Sequence, residues 1–159
     1  MNVLILYYSK TGRTRAMAES IADGVRSIGD VQPVLRTTED VTEDDFLTCD
    51  GIIAGSPVYF GAMAAELKSV FDRFIGTRKQ MIDKVGAAFT SSNHHSGGKE
   101  TTLLSILQPL LIYGLVVVGD PLETGGHFGA AMAGDPTEKA LQDAKLLGKR
   151  VAQLIVKLS

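Results

Sequence analysis

The chain has 159 residues, of which 45% are hydrophobic and 21% are charged, and its formal net charge is −2. These values are typical of a soluble globular protein and predict a single domain over residues 1–159 that is large enough to bury a core. The charge balance provides no basic surface for nucleic acid, and a single cysteine, Cys49, excludes an internal disulfide and a cysteine-based metal cluster.

The first predicted elements are a strand, a helix and a weaker strand. The continuous apolar run NVLILYY (2–8) is typical of a strand buried on both faces. It lacks a basic flank and is too short to cross a bilayer, so we expect a cytoplasmic protein with no membrane partner. Apolar residues between Met17 and Ile28 recur at helical spacing, and Gly29 is placed to end this helix. The next strand, VQPVLR (31–36), contains Pro33, which favours a sheet edge because proline cannot donate to a ladder.

The middle of the chain predicts two further strands with a helix between them. An acidic stretch with a short helical turn near 42–46 leads into GIIAGS (51–56), the third strand. Apolar residues between Met63 and Phe74 lie at helical spacing and predict a second amphipathic helix. The run KVGAAFTSS (84–92) predicts a fourth strand that continues into a polar loop.

The last third of the chain predicts a helix, a strand and a final helix. The first of these helices is rich in leucine, and we expect Pro109 to kink it. The run GLVVVG (114–119) predicts the fifth strand, and a long glycine-rich loop follows it. The final helix is predicted to open at DPTE, with Asp135 as N-cap, Pro136 at the first helical position and Glu138 at the third.

The alternation of strands and helices predicts a three-layer α/β/α sandwich around a parallel sheet. Five strands of this kind most often take the order 2-1-3-4-5, which places the Pro33 strand at an edge. In such folds, ligands bind outside the carboxyl ends of the strands, at the switch point between strands 1 and 3. We therefore expect the functional residues in the loops that follow strands 1, 3 and 4.

The loop after strand 1, SKTGRT (9–14), combines hydroxyls, a glycine and two cations at the start of a helix. A helix N-terminus carries about half a positive charge and free N–H groups, so it binds anions. Ordinary N-capping is the alternative, but it needs one hydroxyl, whereas Ser9, Thr11 and Thr14 supply three. The chain lacks a triphosphate P-loop, a dinucleotide-binding glycine pattern, a cysteine in this loop and an acceptor aspartate after strand 3. We therefore predict a loop that holds one phosphate monoester and leaves it intact.

The loop after strand 3, GSPVYFGAM (55–63), carries two consecutive aromatic residues, Tyr59 and Phe60. Aromatic rings at an open sheet edge are costly to expose unless a flat ligand covers them. Packing on the adjacent helix is the alternative, and it explains one of the two rings more readily than both. Pro57 favours a stiff turn, and Gly61 permits close approach of the backbone to a ligand.

The loop after strand 4, TSSNHHSGGKE (90–100), is rich in small polar residues. It offers donors for the edge of a heterocycle, and its glycines permit close approach. His94 and His95 are adjacent, but no further ligand lies at a convincing spacing, so we predict no metal site. A phosphate loop, an aromatic wall and a polar rim in one crevice fit flavin mononucleotide (FMN).

Several segments also resemble a known family. SKTGRT resembles the T/S-x-T-G-x-T phosphate loop of flavodoxins. GSPVYFGAMAAELKSVFDRF, KVGAAFTSSNHHSGGKETTLLS, YGLVVVG and GGHFGAAMAG are similar to successive segments of the WrbA family of NAD(P)H:quinone oxidoreductases. The resemblance implies a flavodoxin-like fold, non-covalent FMN, NAD(P)H as co-substrate, two-electron reduction of quinones, and a homodimer or homotetramer.

Carried over position by position, the resemblance implies a cofactor site drawn from all three loops. Its members are Ser9, Thr11, Gly12, Arg13 and Thr14 at the phosphate, Pro57, Val58, Tyr59, Phe60 and Gly61 beside the ring, and Thr90, Ser91, Ser92, Asn93 and Gly97 in the rest of the pocket. The chain departs from the family at Val58 and Tyr59, where the usual pattern is S-P-T-R-F-G, and at Tyr113, where the family has a histidine. It also lacks the family's tryptophan and its insertion near strand 2.

The chemistry of such a protein is supplied by the flavin, so the sequence demands no catalytic side chain. Tyr59, Tyr113 and the three histidines, including His127, are candidates to supply a proton. A one-electron carrier of the flavodoxin type is the alternative function. The charge of only −2, and the His and Ser residues where a second aromatic wall would lie, favour the reductase.

Overall fold

The computed structural model describes all 159 residues, which form a six-stranded sheet flanked by helices. The strands are β1 (Asn2–Tyr7), β2 (Gln32–Thr37), β3 (Gly51–Pro57), β4 (Val85–Ser92), β5 (Val116–Val117) and β6 (Ala130–Ala133). The α-helices are α1 (Arg13–Arg26), α2 (Glu43–Thr48), α3 (Ala65–Arg73), α4 (Arg78–Met81), α5 (Lys99–Ile112) and α6 (Glu138–Leu158). None of these helices is both long enough and apolar enough to cross a membrane.

The sheet is parallel and has the order β2-β1-β3-β4-β5, which confirms the predicted topology. The strand that contains Pro33 pairs only with β1 and therefore lies at the edge, where its missing N–H costs no ladder bond. The carboxyl ends of β1, β3 and β4 lie side by side, so the loops that follow them share one edge of the sheet.

The predicted fifth strand is shorter than expected, and the predicted glycine-rich loop contains a sixth strand. Both β5 and β6 pair with β4, the former at Val85–Gly86 and the latter at Phe89–Ser92. Residues 118–129, between β5 and β6, leave the sheet and return to it, and we call this segment the excursion. Its two ends come into contact at Gly119 and His127. A β-carbon on Gly119 would overlap the carbonyl of His127, so only glycine permits this close approach.

Two apolar cores fill the spaces above and below the sheet. Alternate residues of β1 face opposite sides, with Val3 and Ile5 packed under α1 and α6, and Leu4 and Leu6 packed against α2, α3 and α5. Because both faces are covered, the strand is apolar from Val3 to Tyr7, as the sequence indicates.

Two helix ends differ from the sequence prediction. Helix α1 ends at Arg26 rather than at Gly29, because the Ile28 N–H donates to the Val25 carbonyl at 3.0 Å and so leaves the i→i−4 pattern of the helix. Helix α6 begins two residues later than DPTE predicts, with Thr137 as its N-cap. The Thr137 hydroxyl accepts a hydrogen bond from the Ala140 N–H at 3.2 Å, whereas Asp135 points to another partner described below.

Candidate active site at the carboxyl edge

Three loops meet at the carboxyl edge of the sheet, as predicted from the strand order. The Val58 N–H donates to the Ser91 carbonyl at 2.8 Å, which joins the second loop to the third. The Thr14 and Ser91 hydroxyls lie 2.9 Å apart and share a hydrogen bond that joins the first loop to the third. The result is one crevice lined by the segments after β1, β3 and β4.

The first loop carries an unbroken row of free backbone donors. None of the N–H groups from Ser9 to Thr14 makes a hydrogen bond within the chain. Gly12 lies in the left-handed region at φ 88°, and a β-carbon there would meet no atom within 4 Å. These donors lie at the N-terminus of α1, whose dipole adds positive potential, so the loop is suited to a phosphate group.

The side chains of this loop are less available than the sequence suggests. The Ser9 hydroxyl accepts a hydrogen bond from the Arg15 N–H at 3.2 Å, so it acts in part as the helix cap. The Arg13 guanidinium donates to the Asp135 carboxylate at 2.8 Å and to the Asn93 amide oxygen at 2.9 Å. Arg13 therefore joins three segments through its side chain, and its backbone N–H remains free for an anion. Asp135, predicted as a helix cap, is in the structure the partner of Arg13.

The second loop forms a tight turn with Phe60 and Gly61 at its tip. The Tyr59 N–H donates to the Ala62 carbonyl and the Ala62 N–H to the Tyr59 carbonyl, both at 3.0 Å. Phe60 has φ 52° and Gly61 has φ 80°, which are the positive values of a type I′ turn. Because a positive φ is unfavourable for phenylalanine, this tip stores backbone strain. The Phe60 ring is fully exposed, so packing on the adjacent helix does not account for it.

Tyr59 forms an aromatic wall together with Tyr8, a residue that the sequence analysis assigned only to a strand. The two rings lie 6.3 Å apart between centroids and are tilted by 44°. Loss of hydration and the nearby Glu66 carboxylate raise the pKa of Tyr8 to about 12. The Tyr8 phenol is therefore protonated at neutral pH and can donate a hydrogen bond. The signal in the sequence is the second tyrosine of the doublet that ends the first strand.

The hydroxyls of the third loop face inward, which corrects part of the predicted pocket. Thr90 is completely buried and donates its hydroxyl to the Ser56 carbonyl at 2.7 Å, so it ties β4 to β3 and does not reach a ligand. The Ser92 hydroxyl donates to the His94 carbonyl at 2.7 Å, and the Ser91 hydroxyl shares a hydrogen bond with the Thr14 hydroxyl. The accessible donors of this loop are instead the backbone N–H groups of residues 93–95, which make no hydrogen bond within the chain.

The glycines of the third loop have distinct roles. Gly98 lies at φ 91°, and a β-carbon there would come within 2.9 Å of the Gly61 Cα, so this position brings the second and third loops together. Gly97 has no positive φ, and its nearest neighbour is the His94 carbonyl of its own loop. The close approach that the sequence predicts for this segment is therefore an approach of one loop to another.

One candidate proton donor, Tyr113, lies away from the crevice. Tyr113 is buried among aromatic rings, and its hydroxyl donates to the Phe71 carbonyl at 2.6 Å. It follows the far end of α5, whose 14 residues span about 20 Å, so the crevice is out of its reach. His127 lies in the excursion between β5 and β6, where its backbone N–H donates to the Asp120 carboxylate at 2.6 Å.

Comparison with known proteins assigns the family. The model of the NADPH-dependent FMN reductase family matches residues 1–122. The chain belongs to this family. It is 35% identical to an NAD(P)H dehydrogenase (quinone) from Archaeoglobus fulgidus, over 98% of each protein. It is also 35% identical to a flavodoxin from Aquifex aeolicus, over 96% of this chain and 86% of the relative.

Solved structures agree with this assignment. The flavodoxin-fold, WrbA-like protein from Agrobacterium tumefaciens superposes with a TM-score of 0.84 and 25% identity, over 99% of each chain. The protein is therefore an FMN-dependent NAD(P)H oxidoreductase of the WrbA type, as its sequence motifs indicate. Its alignment with the Archaeoglobus relative spans 187 positions, whereas the whole chain has 159 residues, so that relative carries segments that this member lacks.

The crevice of this family member fits FMN. The row of free N–H groups from Ser9 to Thr14 suits the single phosphate of the cofactor, and the open space beside Gly12 admits it. The rings of Tyr8 and Tyr59 suit its flat ring system, and the free N–H groups of Phe60, Gly61 and residues 93–95 suit the oxygen and nitrogen atoms on the ring edge.

Proposed function

We propose that this protein transfers two electrons from NAD(P)H to quinones through FMN held in the crevice. The observation that carries the proposal is that the aromatic wall is one-sided. Tyr8 and Tyr59 lie on one side, whereas the third loop contributes small polar residues and two exposed histidines. A flat cofactor ring placed against the tyrosines keeps its other face open to a nicotinamide and then to a quinone. FMN, when bound, accepts a hydride and passes on two electrons.

The chain's own residues bind and orient the reactants. The N–H groups of Ser9, Thr11, Gly12, Arg13 and Thr14 hold the phosphate, and the segment from Pro57 to Gly61, including Val58, flanks the ring. Asn93 and its two following N–H groups close the polar side, while Ser91, Ser92 and Gly97 shape the loop from within. Of the sequence-predicted site residues, Thr90 and Tyr113 have no place in this arrangement, the first because it is completely buried and the second because it follows the far end of α5.

Tyr59 is the tyrosine suited to supply a proton to a reduced quinone. Its side chain is partly exposed at the mouth of the crevice and lies beside the Tyr8 ring. Loss of hydration and the Glu66 carboxylate raise the pKa of the Tyr8 phenol to about 12, so Tyr8 is less suited to release a proton.

A one-electron carrier is the second candidate function. The relative from Aquifex aeolicus named as a flavodoxin, at 35% identity, favours it. A carrier delivers single electrons to a protein partner, and it has no need of a surface that admits a nicotinamide.

The two functions are distinguished by an anaerobic titration of the purified protein. We expect yellow protein that releases FMN on heating, that NAD(P)H bleaches, and whose colour a benzoquinone restores with one equivalent per flavin. Failure to bleach with NAD(P)H, together with an organic radical signal in electron paramagnetic resonance on chemical reduction, would establish the carrier. Colourless protein that cannot be reconstituted with FMN would refute both functions.

We also propose that residues 1–159 act as one FMN-binding domain, that the protein works in the cytoplasm, and that it forms a homodimer or homotetramer. The oligomeric state rests on the resemblance to the WrbA family, the single domain on the length of the chain, and the location on its composition. Light scattering coupled to gel filtration measures the oligomeric state, and a monomer at micromolar concentration would contradict it.

A further inference from the structure

An apolar groove of about 540 Å³ lies between α3 and α5 on the face of the molecule below the second loop. Phe71, from α3, is buried at its base, whereas Ile75 and Ile112 are 49% and 59% exposed along its walls. A second cavity shares these two isoleucines and continues the groove toward Ile82 and Leu111. Four exposed aliphatic side chains therefore line the two cavities, and the proposed binding of FMN makes no use of them.

The groove begins beside the turn of the second loop. Its upper end is lined by Ala62 and Met63, which close the turn that carries Tyr59. The Met63 N–H donates to the Ser105 hydroxyl on α5 at 2.9 Å, so the turn is fixed onto the helix that forms the opposite wall. Since the second loop leads into α3 and the third loop into α5, the groove runs away from the same edge of the sheet that carries the crevice.

Of the two cavities, the second carries Arg78 and Lys79 on its rim, whereas the groove between α3 and α5 offers no free charge. The charged residues on its rim, Lys68 and Asp72, pair with each other at 2.6 Å, and the other polar residues, Ser105 and Gln108, are neutral. A phosphate-bearing nicotinamide cofactor gains no charged partner in such a surface. A neutral hydrocarbon chain is favoured there, because it is removed from water without leaving a polar group unpaired.

We propose that the groove binds the hydrocarbon tail of a quinone whose head group reacts in the crevice. The inference rests on the proposed quinone reduction and adds the substrate class, a quinone with a long apolar side chain. From Ala65 to Ile75 the α3 wall and the turn after it span about 15 Å at the rise of a helix, and the second cavity lengthens the path. The tail therefore gains contacts over a length that a quinone without a side chain cannot use.

The test compares benzoquinones that share one head group and carry no side chain, a butyl chain or a decyl chain. We expect kcat/KM to rise with chain length through KM, by up to about fourfold for each methylene that is buried. In the variants Ile75→Asp and Ile112→Asp, the ratio of kcat/KM for the decyl quinone to that for the unsubstituted quinone should fall toward one. Leu122→Asp is the matched control, since Leu122 is 88% exposed outside the groove, and it should keep the wild-type ratio.

A binding measurement separates this inference from the proposed function. The redox-inert dimethyl ether of decylhydroquinone should shift the methyl resonances of Ile75 and Ile112 in the FMN-loaded protein, and Ile112→Asp should abolish the effect. Binding of this probe without reduction of any quinone would uphold the groove and refute the proposed function. Reduction of the unsubstituted quinone with no dependence on chain length and no shift would overturn the groove. A third result would also overturn the groove as a quinone site: a wild-type dimer that does not bind the probe and that Ile112→Asp converts to a monomer. In that case a second copy of the chain would cover the groove.

Discussion

At the scale of single residues, two tyrosines that the sequence presents as equivalent proton donors have opposite surroundings. Tyr59 lies on a strained turn at the mouth of the crevice and is 36% exposed, whereas Tyr113 is 2% exposed. Burial, together with the nearby Asp72 carboxylate, raises the pKa of Tyr113 to about 12, and its hydroxyl is held by the Phe71 carbonyl. The first is placed to act on a substrate, and the second ties α5 to α3.

The Tyr113→Phe variant should lose stability and keep its activity. Removing the hydroxyl leaves the buried Phe71 carbonyl without this donor, which costs about 1–3 kcal/mol in the free energy of unfolding. Urea unfolding and the reduction rate of unsubstituted benzoquinone measure the two effects. Tyr59→Phe is the matched control and should show the reverse pattern, with stability within about 0.5 kcal/mol of wild type and slower turnover. Lost turnover in Tyr113→Phe at unchanged stability would contradict the structural role.

At the scale of elements, the start of α6 shows how tertiary contacts decide between two sequence signals. Both Asp135 and Thr137 are good N-cap residues, and the motif DPTE favours the first. In the structure Asp135 is paired with Arg13 of the first loop, and Thr137 caps the helix. The ion pair links the helix to the first loop, and only the fold brings these residues together.

Replacing each of these two residues by alanine should therefore have unequal effects. Thr137→Ala should lower the free energy of unfolding by about 1 kcal/mol, because the first turn of α6 loses its cap. Asp135→Ala should change stability by much less, since the Asp135 side chain is 87% exposed and exposed ion pairs contribute little. Chemical denaturation of both variants beside wild type measures the difference in the free energy of unfolding. A larger loss of stability in Asp135→Ala than in Thr137→Ala would show that Asp135 is the N-cap, as the sequence predicts.

The contrast between local sequence patterns and tertiary contacts also explains how much of the fold and of the site the sequence predicts. Strand order and the position of the crevice follow from local patterns, namely apolar runs, helical spacing and the proline of β2. The split edge at β5 and β6 depends on Gly119 approaching His127, which no local pattern reveals. Likewise, the motif of the third loop predicts hydroxyl donors, but the sequence does not show which of them bond within the protein. The Thr90 hydroxyl, for example, donates to the Ser56 carbonyl on the neighbouring strand and is not available to a ligand.

At the scale of the whole molecule, two carboxylates connect separate parts of the fold. Asp45 accepts hydrogen bonds from the Arg36 guanidinium, which joins α2 to β2. Asp120 accepts from the Thr124 hydroxyl at 2.8 Å and the His127 N–H at 2.6 Å, which organises the excursion between β5 and β6. Burial raises the pKa of each carboxyl, but the hydrogen bonds outweigh it and hold both pKa values below the ordinary 3.8.

These lowered pKa values predict that stability is lost in acid. A carboxyl whose pKa is lower in the folded state than in the unfolded chain stabilises the fold above the unfolded pKa, here near 3.8. That contribution disappears as the pH falls through the folded values. The free energy of unfolding from urea titrations should therefore be level around neutral pH and decline below about pH 4. Asp120→Asn cannot take up this proton, so its decline should be shallower than that of wild type, although its stability at neutral pH is lower. Equal slopes for the two proteins would show that Asp120 does not couple protonation to folding.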